Sequence, residues 1–429
     1  MNSIITTWRV YGENRRLILP LIETGEYDFE VDWGDGSKDH ITDWDIGHIY
    51  SSTGTYQVSI TGKLLGWKAT DTEDYKLLDV SQWGNLKLGN EGHYFEGCLE
   101  MNITATDAPD LSETTNLSCM FKNCRKMNGN IIHWDVSRVQ NMSKMFLCAT
   151  SFNQPLSGDN EGWNVSNVTD MSQMFSSAIS FNQPLAFPNG YWITKNVKDM
   201  SGMFQNASKF NQPLETMAEV WNVSKVTNMS DMFKDACIFN QYIGNWDVSK
   251  VKDMSGMFLC AKSFNKPINS WITTNVNNMR YMFRRAYSFN QNIGSWDVSN
   301  VTDMFGMFWN AEAFNQNIGD WDVSNVKTMF AMFWNASVFN QPIGDWNTSS
   351  VRNMQSMFEG ASSFNQSLSS VNTEANKIKK WNVSNVENMG WMFAEATDFI
   401  NGPYLKQVKD WNVSDPNILT NILGLRKSV

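Results

Sequence analysis

A tryptophan at 134, 163, 192, 221, 246, 271, 296, 321, 346, 381 and 411 is followed by the same block of residues each time, and this repeat constrains the fold more than any other feature. The intervals are 29, 29, 29, 25, 25, 25, 25, 25, 35 and 30 residues. In the first ten units a Met-Phe pair begins 11 residues after the Trp, from Met145-Phe146 to Met392-Phe393. An Ala follows four residues after that Met and a Phe seven after it. All variation in length falls between that Phe and the next Trp, so the block has one geometry and the joining loop is free to lengthen. A unit this short cannot bury its own apolar side, whereas stacked copies can.

From Trp246 the unit reads Trp-Asp-Val-Ser-Lys-Val-Lys-Asp-Met-Ser-Gly-Met-Phe-Leu-Cys-Ala-Lys-Ser-Phe-Asn. Trp246 and Val248 alternate with Asp247 and Ser249, the period of a short strand with one buried face. Val251, Met254, Met257, Phe258, Ala261 and Phe264 follow at spacings that predict a helical or 3-10 arc. The expected fold class is an α/β solenoid, an array of about 25-residue coils, each a short parallel strand plus an arc, stacked ~4.8 Å apart.

Degenerate units precede the array. Trp83 leads to Tyr94-Phe95, Cys98 and Met101, and a second set holds Leu111, Leu117, Met120-Phe121, Cys124 and Met127. At the other end Pro416, Leu419 and Ile422 take the apolar slots after Trp411. Residues 1–62 differ in kind, because Phe29, Val31 and Trp33 alternate into the turn Trp33-Gly-Asp-Gly-Ser37, and Tyr56, Val58 and Ile60 alternate after Gly54. The expected organisation is therefore a small antiparallel β module over 1–62, a connector over 63–82, degenerate coils over 83–128, regular repeats over 129–410 and a cap over 411–429.

The repeat, as in Phe289-Asn-Gln-Asn-Ile-Gly-Ser-Trp296-Asp-Val-Ser-Asn-Val-Thr-Asp-Met304, resembles the BspA-like leucine-rich-repeat surface proteins over residues 83 to 424. The front segment, with Trp33-Gly-Asp-Gly-Ser37, His48-Ile-Tyr50 and Gly54-Thr-Tyr-Gln-Val58, resembles a PKD-type β-sandwich module. The resemblance implies a leucine-rich-repeat-like array and an adhesive or partner-binding role on a cell surface, in the extracellular space or on a virion. Met1 to Leu21 has no basic start followed by an apolar core, so no secretion signal is read there.

Composition removes some classes of function. With 34 Lys+Arg against 44 Asp+Glu the formal charge is −10, which disfavours nucleic acid and anionic membrane as partners. No apolar run reaches the ~20 residues that span a bilayer. The four His share no local arrangement with a nucleophile, and neither a phosphate loop nor a His-Glu-x-x-His pair occurs, so no enzyme activity, cofactor or metal is expected. Cys98 and Cys124 occupy the Ala slot, as small buried residues or, if their coils stack directly, within disulfide reach. The sequons at Asn164, Asn222, Asn300 and Asn382 belong to the repeat consensus.

Four repeated features are candidates for binding. The Trp row reads as core, because it shares parity with buried Val. The row Asp135, Asn164, Asn222, Asp247, Asp297, Asp322, Asn347 and Asn382 reads as a solvated ladder, with a Ca²⁺ site at Asp297 and Asp322 as the alternative. Asp32, Asp35, Ser37 and Asp39 read as turn chemistry. The fourth feature lies 9 and 13 residues after the Trp, where small or polar residues give way to Phe305 and Trp309 in one coil and Phe330 and Trp334 in the next. If the arc is helical these positions share a face, with Arg284 extending the line and Tyr281 alongside. Aromatics beside Arg are typical of the energetic centre of an interface. Three readings stay open: a non-enzymatic adhesion or receptor-binding protein that recognises a protein or glycan, a structural spacer of the envelope or virion, and a carbohydrate-active enzyme, for which no interruption of the repeat is found.

Overall fold

A computed structural model describes residues 3–72, 75–158, 161–187, 189–215, 220–372, 377–409, 411, 413, 419 and 421–424. The chain divides into two compact units, Met1–Asn222 and Val223–Val429.

The first unit begins with β1 (Ile4–Val10), β2 (Arg16–Ile18), β3 (Glu26–Asp32), β4 (Lys38–Ile41), β5 (Gly47–Ile49), β6 (Gly54–Leu65), β7 (Tyr75–Gln82) and β8 (Asn102–Ile103). Six of them form one sheet in the order β4-β3-β6-β1-β7-β8, and β2 pairs with β5 in a separate ribbon. The period-2 pattern does its expected work here: Ile4, Thr6, Trp8 and Val10 are buried, and so are Phe29, Val31, Val58 and Ile60. Gly62 sits at φ 138° opposite Phe29, where an added Cβ would lie 2.6 Å from the Phe29 Cα. Residues 75–82, assigned to the connector from sequence, form a strand antiparallel to β1. β7 then pairs parallel to β8, with Val80 opposite Ile103, so the antiparallel sheet passes directly into the first degenerate repeats.

Beyond β8 the repeats of this unit pair through single-residue parallel bridges, Asn116 to Asn141, Asn141 to Asp170 and Asp170 to Asp199. A short hairpin of β9 (Ser157–Gly158) and β10 (Glu161–Gly162) fills one of the longer joining loops. Cys98 and Cys124 are both buried free thiols, and Cys124 Sγ lies 3.0 Å from the Phe95 carbonyl.

The second unit follows the same plan, with bridges from Asn228 to Asp253, Asn278, Asp303, Thr328, Asn353 and Asn388 in succession. It adds a hairpin of β11 (Ser369–Asn372) and β12 (Lys377–Lys380), then α1 (Thr397–Asn401) and α2 (Leu405–Lys409). Trp411 is buried. Of the three residues expected in the apolar slots after it, Pro416 lies outside the described residues.

The α/β solenoid expected from the sequence, with its strand-plus-arc leucine-rich-repeat-like coils, is not what the chain forms. Among the described residues the only α-helices are α1 and α2, of five residues each, and the sheets are antiparallel or mixed. The apolar arc has helical spacing but cannot be a helix, because its residues 10 and 14 positions after the Trp are left-handed. In four repeats of the second unit these are Gly256 and Cys260, Tyr281 and Arg285, Gly306 and Asn310, and Ala331 and Asn335, all with φ between 52 and 60°. The arc is instead a chain of turns. Met257 N–H donates to Met254 O, Leu259 N–H to Gly256 O and Ala261 N–H to Phe258 O. In the first and third of these turns the third residue carries the positive φ, as a type II turn requires.

The intervening amides have no partner in their own repeat and donate to the next one: Gly256 N–H to Arg280 O, Phe258 N–H to Met282 O and Cys260 N–H to Arg284 O, at 2.8 to 2.9 Å. Alternate donors thus serve the turn and the stack, which accounts for every amide from Met257 to Ala261. The Trp-x-Val segment is likewise no strand. Trp246 N–H closes a turn on Ile243 O, Asp247 Oδ1 accepts from Ser249 N–H, and Val251 N–H closes another turn on Val248 O. The alternation of burial in that segment is real, but its backbone is spent on turns.

Inside, three aromatic rows run along the second unit. Trp271, Trp296, Trp321 and Trp346 are 3% exposed, and each indole N–H donates to the carbonyl of an Ile one repeat back, as Trp296 does to Ile268 at 3.0 Å. Phe258 and Phe264 stack at 4.1 Å within a repeat, and Phe258 stacks on Phe283 of the next at 5.6 Å. The Trp row is therefore core and offers no platform to sugars.

Candidate partner-binding surface

The chain of turns explains how the candidate aromatics reach one place. Phe305 and Trp309 are each the second residue of a turn whose third residue is left-handed, Gly306 in one case and Asn310 in the other. Equivalent positions of the first and third turns of an arc face the same way, so a four-residue spacing brings side chains together without a helix. Phe305 N–H is held by Asp303 Oδ1 at 2.8 Å, and Phe305 O accepts from Tyr281 N–H at 2.8 Å. Gly306 N–H in turn donates to Phe330 O, and Asn310 N–H to Trp334 O.

This register stacks like on like. Phe305 lies on Phe330 with ring centroids 4.4 Å apart, and Trp309 on Trp334 at 4.3 Å with an interplanar angle of 12°. Tyr281 meets Phe305 edge-on at 5.0 Å. The Arg284 guanidinium sits 3.7 Å from the Trp309 ring centre and 4.9 Å from that of Tyr281. All six residues singled out from the sequence are brought together, and each is half-buried. They are less open than an exposed patch, because the rings cover one another.

The sequence reading missed Arg280. It occupies the slot of Phe305 one repeat earlier, and its guanidinium lies 3.8 Å from the Phe305 ring centre and 4.8 Å from that of Tyr281. The signal was present, since Arg280 and Arg284 are spaced as Phe305 and Trp309 are. Arg280 also approaches Asp303 at 3.6 Å. The Arg284 Nε is buried, and among the described residues it has no hydrogen-bond partner. The two cations thus lie over aromatic faces on an otherwise acidic chain.

The described start of the inserted segment before Trp381 packs on Gln407 and Gly344. Leu368 N–H donates to Gln407 Oε1 at 3.0 Å, and the Ser367 and Ser369 carbonyls crowd Gly344. Among the other candidates, Asp297, Asp322, Asp32 and Asp35 resolve into turn chemistry, whereas Asp39 lies in β4 and its Oδ2 accepts from the Trp33 indole N–H at 2.7 Å. Asp297 Oδ1 accepts from Ser299 N–H at 3.0 Å and from its hydroxyl at 2.6 Å, and these bonds hold its carboxyl below the usual range. Asp322 does the same for Ser324 N–H. In the N-terminal turn Asp32 Oδ1 accepts from Gly34 N–H and Asp35 Oδ1 from Ser37 N–H, both at 3.0 Å. His48 stacks on Trp33 and contacts Asp35 at 2.8 Å and Ser37 at 3.4 Å through the same Nε2. A base joined to its nucleophile and its carboxylate through one nitrogen cannot relay a proton between them.

Among the described residues no helix is long and apolar enough to cross a membrane. Comparison with curated proteins found no match, and neither did comparison with solved structures. A family model does match, over residues 90–217, 215–317, 289–377 and 314–426, which together exceed half the chain. The overlapping matches follow the tandem units on which the stacked arcs are built, and the chain belongs to the family described as Mycoplasma protein of unknown function, DUF285.

Proposed function

We propose that this chain is a non-enzymatic adhesion or receptor-binding protein that acts at a cell or virion surface. It takes a protein or glycan partner on the cluster of Arg280, Tyr281, Arg284, Phe305, Trp309, Phe330 and Trp334. The observation that carries the reading is the stack of Trp309 on Trp334 under Arg284, whose buried Nε lacks a partner. Aromatic side chains supply large contact area at little entropic cost, Arg adds directional donors, and Trp, Tyr and Arg dominate the energetic centres of interfaces. The neighbouring repeats carry Ser255 and Leu259, or Gln355 and Glu359, in the same slots, so the core does not require aromatics there. The likeness of the repeat to BspA-like surface proteins, and of the Trp33–Ser37 turn segment to PKD-type modules, supports display at a surface.

The test is binding of the full chain to a panel of glycans and extracellular host proteins. It is run beside Phe305→Ser/Trp309→Ser/Phe330→Ser/Trp334→Ser, with circular dichroism as the check on folding. Wild type that binds while the folded variant does not supports the reading and its site together. A variant that binds as well as wild type removes the site, and wild type that binds nothing favours a structural spacer.

A further inference from the structure

The turn geometry that gathers the aromatics gathers a different set near the N-terminal end of the repeats. His93 and Cys119 are the left-handed residues of equivalent turns in adjacent degenerate repeats, at φ 60° and 56°. The register is direct, because His93 N–H donates to Ser118 O at 2.8 Å and Phe95 N–H to Met120 O at 3.0 Å. Glu96 stands three residues after His93, and its Oε2 contacts His93 Nδ1. One ligand atom each from His93, Glu96 and Cys119 lie within 4.8 Å of one another.

We infer that His93, Glu96 and Cys119 form a binding site for a transition-metal dication of zinc type. The donor set is one imidazole nitrogen, one carboxylate oxygen and one sulfur, and three such protein ligands with water in the fourth position are a recognised tetrahedral arrangement. Zinc bonds of about 2.0–2.3 Å require ligand atoms roughly 3.3–3.6 Å apart, so His93 Nδ1 and Glu96 Oε2, now in direct contact, would part while the Cys119 sulfur closes in by up to about an ångström, all through side-chain rotation. The ligands stand on backbone fixed by inter-repeat hydrogen bonds and need no chain movement. Calcium and magnesium are disfavoured, because hard cations prefer all-oxygen sites.

The surroundings support the assignment. Lys122 Nζ holds Glu96 Oε1 at 2.6 Å, leaving Oε2 toward His93, which is how an outer partner orients a ligating carboxylate. Cys119 is 5% exposed, so its sulfur lies on the shielded side of the site, and a metal would bind it as the thiolate with release of its proton. Nothing in the proposed partner-binding role uses these residues. A bound ion would tie the repeat of His93 to that of Cys119 where the sheet gives way to single bridges.

The test is titration of the full reduced chain with Zn²⁺ against a chromophoric chelator and with Co²⁺ by absorption. X-ray absorption at the zinc edge of the wild type gives the ligand set without any variant. One equivalent is expected, with one sulfur among the ligands, a thiolate-to-cobalt charge-transfer band, and a higher Tm with metal. Cys119→Ser, Glu96→Gln and His93→Asn, the last chosen because Asn tolerates a left-handed backbone, should each weaken binding at least tenfold, whereas Cys148→Ser should not. Absence of stoichiometric uptake, a ligand set without sulfur, or wild-type affinity in Cys119→Ser would each overturn the assignment.

Discussion

The ring of Tyr281 stands where a side chain on Gly306 would have to go: a Cβ there would lie 2.7 Å from Cε1 and 2.8 Å from Cδ1 of the tyrosine. The slot itself does not demand glycine, since Ala331 fills it one repeat later at φ 52° with its methyl fully buried. Gly306→Ala should therefore destabilise the second unit by about 1–3 kcal/mol, chiefly through overpacking against the tyrosine. In a Tyr281→Ala background most of that loss should vanish, and a double-mutant cycle in urea measures the difference. An equal loss in both backgrounds would mean that backbone strain, not the ring, decides the residue.

Asparagines form a ladder of their own. Asn315 Oδ1 accepts from the Asn340 backbone N–H and from Gln341 Nε2, both at 2.9 Å, and Asn290 serves Asn315 and Gln316 in the same way. At Asn365 the ladder stops. Ile400 takes the next slot and turns its N–H into α1, so Asn365 Oδ1 is buried without a partner among the described residues. Asn315→Ala should cost about 1–3 kcal/mol by orphaning a part-buried amide, and Asn365→Ala should cost under about 0.5 kcal/mol because no donor is lost. Urea midpoints of the two variants check this, and similar shifts for both would reduce the ladder to coincidence of spacing.

These two cases show what the sequence made legible and what it hid. Slot identity was readable because Trp, Met-Phe, Ala and Phe recur at fixed offsets, and the six site residues meet because slots stack. The backbone between the slots was not readable. A spacing of three and four is shared by a helix and by a run of alternating turns, and only φ separates them. The hint lay in Gly202, Gly256 and Gly306 at one slot and Asn206, Asn310 and Asn335 at another, residues that tolerate left-handed φ. Tyr281, Ala331 and Arg285 in the same slots masked it, since such residues seldom adopt that conformation unless the surrounding hydrogen bonds impose it. Trp-Asp-Val read as a strand for a related reason: the alternation reports burial, while the Asp that caps Ser249 N–H shows that the backbone is turning.

The N-terminal sheet should be sensitive to acid through Asp35. The Ser37 hydroxyl, and after it His48, hold this carboxyl at about 2, below its ordinary 3.8. A depressed folded-state pKa stabilises the native state fully above the unfolded value of about 3.9 and loses that contribution as pH falls through about 2. Wild type should thus lose stability between about pH 4 and pH 2, and Asp35→Asn should lose measurably less over the same window. Hydrogen–deuterium exchange of peptides from β3 and β4, corrected for intrinsic rates at each pH, reports on this module, because those paired strands flank the Asp35 turn. Parallel pH profiles for the two proteins would show that other carboxylates govern the acid transition.

Phe308 and Trp309 are neighbours in sequence with opposite duties, and the proposed surface depends on the distinction. Phe308 is fully buried between Phe283 at 5.7 Å and Phe333 at 5.6 Å, so Phe308→Ser removes a ring from the continuous core and introduces an unsatisfied hydroxyl. A loss of about 3–5 kcal/mol or more is expected there, enough to unfold the local repeats. Trp309 is half-buried, with Trp334 on one face and Arg284 on the other. Its loss removes one stacking pair and one cation–π contact, worth about 1–3 kcal/mol together, and opens no hole in the core. Trp309→Ser should therefore leave the circular dichroism spectrum unchanged at 25 °C while lowering Tm. If it instead unfolds the second unit as Phe308→Ser does, the aromatic cluster is a second core and the candidate surface must be sought elsewhere.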